Sequence, residues 1–138
     1  MSSQRLSPPR SSLFVMAAAG LSIIMTGGCD IFSPTREFTI RVDSIAAPAV
    51  IGATDTLTVR FFGTIGLSYC HQLKGVEMQI GPAGMQIKFR GKYENHSCAQ
   101  SARYLDHEET VPPPVQDSFV IEVLQPSGPP LEHVVRVE

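Results

Sequence analysis

The feature that most constrains the fold is a set of short segments in which apolar and polar residues alternate. The clearest is 55–62, where Leu57, Val59 and Phe61 alternate with polar side chains. A period of two residues is typical of a β-strand with one buried face. After residue 28 there is no apolar stripe of helical period and useful length. The sequence therefore predicts an all-β fold.

Five further segments show strand character and are separated by turn-forming residues. The strand segments are 37–44, 75–80, 85–89, 118–124 and 131–137. GPAG at 81–84 predicts a hairpin between two of them, whereas three consecutive prolines at 112–114 cannot continue a ladder. About seven strands with such turns favour an antiparallel sandwich of immunoglobulin-like type, with a small barrel as the alternative.

An export signal precedes this domain. Arg5 and Arg10 come before an apolar run, Leu13 to Met25, which is followed by small residues and Cys29. This order of a basic segment, an apolar helix and a small-residue cleavage site is that of a secretory signal peptide. The run of 13 residues spans only about 20 Å as a helix, short of the roughly 30 Å of a bilayer core. We expect residues 1–28 to be removed.

The residues before Cys29 resemble the lipobox of bacterial lipoproteins. Gly27 and Gly28 suit the positions next to the cysteine, and Thr26 stands where the usual pattern has leucine. The resemblance implies that Cys29 carries a diacylglyceryl group and that Asp30, in some Gram-negative bacteria, favours retention in the inner membrane. The alternative is an ordinary secretory signal that is cut near Gly28 and leaves a soluble protein. Residues 29–36 would form a tether, and residues 37–138 the β-sandwich domain.

Charge argues against a nucleic-acid partner. Removal of residues 1–28 removes two arginines and no acid, which leaves nine Lys and Arg against 13 Asp and Glu and a formal charge of −4. Binding to phosphates needs clustered cations, and the mature part has no basic run. A cationic stripe formed by Gln86, Lys88, Arg90 and Lys92 is interpreted as the charged protection of an edge strand.

Three cysteines divide naturally into one for lipid and two for a disulfide. With Cys29 lipidated, Cys70 and Cys98 remain, and an exported protein meets an oxidising compartment. We predict that they are bonded, with their Cα atoms about 4.4–6.8 Å apart. The alternative is a metal site that adds His71 and His96 to the two thiols. Adjacent side chains of a strand point to opposite faces, which disfavours that site.

Taken whole, the mature chain is similar to small lipoproteins of the bacterial envelope, each a lipobox followed by one immunoglobulin-like sandwich. The similarity lies in RVDSIAAPAV, DTLTVRFFGTIG, the cysteine pair and the closing VIEVLQPSGPPLEHVVRVE. It implies a chain that is anchored to membrane lipid through Cys29 and faces the periplasm or the cell surface. A fold of this kind supports many functions, so the resemblance leaves the ligand open.

Three functional hypotheses follow. In the first, the domain is a noncatalytic module that binds an envelope protein or a glycan without a cofactor. Aromatic residues with polar tips suit recognition. The candidate contacts are Tyr69 and His71 in one loop and Tyr93, His96, Tyr104 and His107 in another.

The second hypothesis is an enzyme or metal-binding protein that uses His107, His71 or His96. Acids surround His107, but no nucleophile with a fixed base beside it is evident, and we expect His107 to lie in an exposed loop without catalytic duty. The third hypothesis is a structural subunit whose edge strands pair with a partner. The first is favoured.

Overall fold

The computed structural model describes residues 35–114 and 116–138. The predicted signal peptide with its helix, Cys29 and most of the tether lie outside these residues. β1 begins at Thr35, two residues before the predicted start of the domain. Among residues 35–114 and 116–138, no helix has the length and apolar character needed to cross a bilayer.

The described chain is all-β and forms two sheets. The larger sheet has six strands and the smaller has three, in the order β2-β4-β7. Most neighbouring strands are antiparallel, as predicted, but β6 with β8 and β3 with β9 are parallel. The nine strands are β1 (Thr35–Thr39), β2 (Arg41–Ala46), β3 (Val50–Ile51), β4 (Leu57–Ser68), β5 (His71–Gly81), β6 (Gly84–Glu94), β7 (Gln100–Val111), β8 (Ser118–Val123) and β9 (Leu131–Val137).

The predicted strand at 37–44 is in fact two strands in different sheets. β1 pairs with β6 in the larger sheet, and β2 pairs with β4 in the smaller one. The chain crosses between the sheets at Ile40, which is buried and whose N–H donates to the carbonyl of Phe89 at 2.9 Å. The apolar alternation continues through the crossing because the inner faces of both sheets border the same core.

The core lies between the two sheets. β4 contributes Leu57, Val59 and Phe61, and the ring of Phe61 packs 5.2 Å from that of Phe89 on β6. β8 and β9 add further fully buried side chains: Phe119, Ile121, Val123 and Val135. Alternate residues of facing strands therefore supply one core, which is what the period of two predicts.

The β5–β6 hairpin around Gly81 and Gly84 is confirmed, but the interpretation of the cationic stripe is wrong. β6 is an interior strand, because it pairs with β5 along one edge and with β8 and then β1 along the other. Two of its three cations pair with neighbouring acids, since Arg90 contacts Glu37 at 3.0 Å and Lys92 contacts Glu94 at 2.5 Å. These ion pairs lie within the sheet, and the charges of an interior strand do not protect an edge.

The predicted exposed loop around His107 is also wrong. Residues 100–111 form β7, which pairs with β4 over its whole length. Leu105 and Val111 lie buried on the inner face, and His107 shares that face with them. The prolines that follow end this strand after Val111 and leave the residues before it free to pair.

Candidate functional site at the disulfide end

Cys70 and Cys98 are joined by a disulfide, as predicted. Their Cα atoms lie 5.6 Å apart and are separated by 28 residues in sequence. Cys70 belongs to the turn between β4 and β5, and Cys98 to the connection between β6 and β7. The bond therefore joins two connections that leave different sheets.

Backbone hydrogen bonds gather three segments around this bond. Tyr69 N–H donates to the carbonyl of Ala99 at 3.2 Å, and Glu94 N–H donates to that of Cys70 at 3.1 Å. Glu94 is also the register partner of Thr35, the first described residue. We call this region, made of Thr35–Arg36, residues 67–71 and residues 93–99, the disulfide end.

His71 is held inside the disulfide end by aromatic contacts and one hydrogen bond. Its ring packs against Tyr93 at 4.8 Å and Phe38 at 6.0 Å between ring centroids. Nδ1 of the ring lies 3.0 Å from Oγ of the buried Ser68. The ring also covers Gly66, where any Cβ would overlap it. The packing of four residues thus fixes the orientation of this imidazole.

The contact between Ser68 and His71 places a hydroxyl beside a base, the pair of groups that the sequence did not reveal. A nucleophilic serine also needs access to substrate and a third group that orients the histidine. Ser68 is only 8% exposed, and the hydrogen bonds of the described residues include none to Nε2 of His71. Instead, His71 gives the buried hydroxyl of Ser68 a hydrogen-bond partner. A buried hydroxyl without a partner would destabilise the fold.

His96 lies beside the disulfide, so three of the four predicted metal ligands do come together. The sulfur atoms of Cys70 and Cys98 and a ring nitrogen of His96 all lie within 4.8 Å of one another. The fourth, His71, is engaged with Ser68. Metals bind thiolates, and sulfur atoms bonded to each other supply none. This cluster has the donors for a metal only in the reduced protein.

The surface of the disulfide end presents apolar and basic side chains. Leu67 is 69% exposed and Tyr69 51% exposed, and the guanidinium of Arg103 lies 5.2 Å from the centre of the Tyr69 ring. Sequence reasoning named Tyr69 but missed Leu67 and Arg103. Leu67 points outward because the register of β4 shifts on both sides of Gly66, which interrupts the alternation. The glycines at 63 and 66 were the available signal.

Tyr104 and His107 do not join the other candidates. Tyr104 is 72% exposed on the outer face of β7, whereas His107 lies half-buried on its inner face. Nε2 of His107 is 2.6 Å from a carboxylate oxygen of Glu109, and its ring meets that of Phe89 at 5.3 Å. The predicted second binding loop therefore separates into Tyr93 and His96 at the disulfide end and two residues on opposite faces of β7.

The outer faces of the sheets carry ordinary ion pairs. Arg60 binds both carboxylate oxygens of Asp106 at 2.6 and 2.7 Å, and these hydrogen bonds hold the pKa of Asp106 below its usual value. On the other sheet, hydrogen bonds from Lys74 and then Arg90 lower the pKa of Glu37. Four of these five side chains are solvent-exposed and Arg90 is partly so, which means that such pairs contribute little to stability.

A groove at the tip of the β5–β6 hairpin offers no converging chemistry. It has a volume of about 470 Å³ and lies against β8. Glu122 is the one titratable side chain among its lining residues. Active sites gather several such groups in one cleft, so the disulfide end is the better candidate for a functional surface.

Comparisons of the chain with protein-family models, with curated proteins and with solved structures find no match.

Proposed function

We propose that the protein is a lipoprotein of the bacterial cell envelope, anchored to the membrane through Cys29, whose domain is a noncatalytic binding or structural module. The observation that carries the proposal is the division of the cysteines. The disulfide uses Cys70 and Cys98, and the third cysteine follows the apolar run and the small residues of an export signal. A disulfide also suits an exported chain because the bacterial periplasm is oxidising.

We further propose that the fold is immunoglobulin-like. Two face-to-face sheets around one core support this assignment, as does a first strand that passes from one sheet to the other at Ile40. Nine strands in the described residues also fit the strand number of such sandwiches, although four of them have 11 or 12 residues, the chain lacks tryptophan and its cysteines are close in sequence. Loops at the ends of a sandwich are where domains of this architecture bind their partners.

The noncatalytic assignment is supported by how the candidate histidines are engaged. His71 contacts Ser68 and two aromatic rings, and His107 contacts Glu109 and Phe89. These contacts give both imidazoles a structural role in the packing of the domain. Tyr69 and His96 remain exposed at the disulfide end and suit contact with an envelope protein or a glycan.

Lipidation is tested by metabolic labelling with an alkyne fatty acid in a bacterial host, followed by intact mass spectrometry of the membrane fraction. We expect a chain that begins at Cys29 and carries the lipid mass, and loss of the label in the Cys29→Ser variant. The Cys70→Ala/Cys98→Ala variant is the matched control and should keep the label. An unmodified mature N-terminus, or an uncut precursor in the membrane, would refute the anchor.

A further inference from the structure

We infer that the disulfide end is a membrane-contact surface: Leu67 and Tyr69 enter the interfacial layer of the bilayer, and Arg36 and Arg103 face anionic headgroups. This inference rests on the proposed lipid anchor and goes beyond it, because an anchor alone leaves the orientation of the domain open. It assigns one end of the sandwich to lipid and leaves the opposite end for other contacts.

The length of the tether limits which end can reach the bilayer. Six residue steps separate Cys29 from Thr35, and a fully extended chain of that length spans at most about 20 Å. Thr35 lies at the disulfide end, paired with Glu94, whose N–H bonds to Cys70. A lipid on Cys29 would therefore hold this end within about 20 Å of the membrane surface.

The tether is too short for the domain to stand on the bilayer with its opposite end down. β4 runs from Leu57 to Ser68 at the disulfide end, and its 12 residues at about 3.3 Å each separate the two ends by roughly 35–40 Å. That distance exceeds the reach of the tether by about twofold. The sandwich can tilt on its tether, but it cannot stand with the surface around Leu67 and Tyr69 farthest from the lipid.

The side chains at the disulfide end have the chemistry of a membrane interface. Leu67 is the most exposed aliphatic residue among the described large hydrophobic side chains, and Tyr69 lies two residues away. Tyrosine favours the interfacial layer because its ring is apolar and its hydroxyl is polar. Arg103 stacks on that ring, so a cation accompanies the aromatic group.

The distribution of charged side chains between the two ends also favours contact of the disulfide end with the membrane. At the disulfide end, Arg36 is exposed, and Glu94, the one acid among its described residues, is paired with Lys92. Among the described residues, the opposite end exposes three acids, Asp55, Asp117 and Glu138, against one cation, Arg136. Anionic headgroups attract nearby cations and repel acids within about a Debye length, so this polarity favours the proposed orientation.

The chain contains no tryptophan, which makes a single introduced indole a clean reporter. We propose Leu67→Trp as the probe, Tyr69→Trp as a second probe in case the first does not fold, and Ala83→Trp in the exposed hairpin turn at the opposite end as the matched control. The lipidated full-length mature proteins are reconstituted into vesicles of phosphatidylethanolamine and phosphatidylglycerol that contain a brominated lipid. Flotation measures anchoring, and quenching of the indole by bromine measures contact.

We expect all variants to float and the probe to be quenched about twofold or more beyond the control, as for an indole at headgroup depth. The Arg36→Gln/Arg103→Gln change should reduce quenching of the probe on these anionic vesicles. Flotation with equal or no quenching of probe and control would overturn the contact surface and leave the anchor intact, with a protein partner as the reason for the exposed residues. Failure to float would overturn the anchor and this inference together.

Discussion

Several glycines in this domain occupy positions where a neighbouring segment of the same chain leaves no room for a side chain. At Gly63 an added Cβ would overlap the carbonyl oxygen of Arg41 on the neighbouring strand β2. At Gly91 it would enter the ring of Phe38, and at Gly66 the ring of His71. Gly75, in contrast, has no heavy atom within 4 Å of such a Cβ. The close approach of a neighbouring backbone or aromatic ring therefore explains some glycines of the β-strands and not others.

This contrast gives a prediction at the residue scale. Gly63→Ala should lower the free energy of unfolding by about 1–3 kcal/mol, because a backbone atom cannot move aside as the end of a flexible side chain can. Gly75→Ala, the matched control, should change it little or raise it slightly, since alanine reduces the freedom of the unfolded chain. Urea unfolding of both variants is the measurement. Equal losses would show that close approach is not what selects glycine at position 63.

The two strands of the β5–β6 hairpin have similar apolar patterns and very different surroundings. In an antiparallel pair, register partners point to the same side, so Met78 shares the inner face with Ile87, and Val76 shares it with Phe89. Ile87 and Phe89 are fully buried, but Met78 is 38% exposed. β5 is an edge strand of the larger sheet, and although Val76 packs against the core, Met78 and Ile80 stay exposed. The same alternation therefore contributes core packing in β6 and exposed surface in β5.

At the scale of the element, the two strands should respond differently to truncation. Phe89→Ala should cost about 3–5 kcal/mol of the free energy of unfolding, because it leaves a cavity between the sheets beside Phe61. Met78→Ala on the edge strand should cost less than about 1 kcal/mol, since part of its surface is already in water. Thermal and urea unfolding measure both. A loss at Met78 that approached the loss at Phe89 would mean that a partner covers β5 in solution.

For the whole molecule, the disulfide connects the two sheets at the end where the chain enters the fold. One cysteine lies in the turn between β4 of the smaller sheet and β5 of the larger sheet. The other lies in the connection that returns from β6 to β7. A domain of this size buries only a modest core, so its total free energy of unfolding is small. The disulfide restricts the unfolded chain and thereby supplies a large share of that free energy.

Removal of this bond should therefore weaken the whole domain. The Cys70→Ala/Cys98→Ala variant should lose roughly 3–4 kcal/mol of the free energy of unfolding, the amount expected for closing a loop of this length. A reducing agent should lower the unfolding midpoint of the unaltered protein and leave that of the variant unchanged. Peptide mapping under nonreducing conditions should recover the two cysteines in one linked species, and two free thiols would contradict the bond.

The alternation of apolar residues by itself determined the fold class, the inward faces of β4, β6, β8 and β9, and the hairpin at Gly81–Gly84. These features follow from local chemistry: a period of two places every second side chain on one face, and glycine and proline set the turn. The pairing of Cys70 with Cys98 was also predictable, because expected export and the expected lipidation of Cys29 left few alternatives. All of these features are independent of which strands are neighbours in the sheets.

Only the tertiary structure decided which strands are neighbours and which residues share a surface. The crossing at Ile40 is invisible in the sequence because both sheets bury the same alternate residues. β7 was missed because, as an edge strand of the smaller sheet, it carries polar side chains on its inner face, His107 and Glu109 among them. The group of Leu67, Tyr69 and Arg103 arises from a register shift and from segments far apart in sequence. Such a surface forms by pairing between segments far apart in sequence, so the local periodicity of the sequence does not predict it.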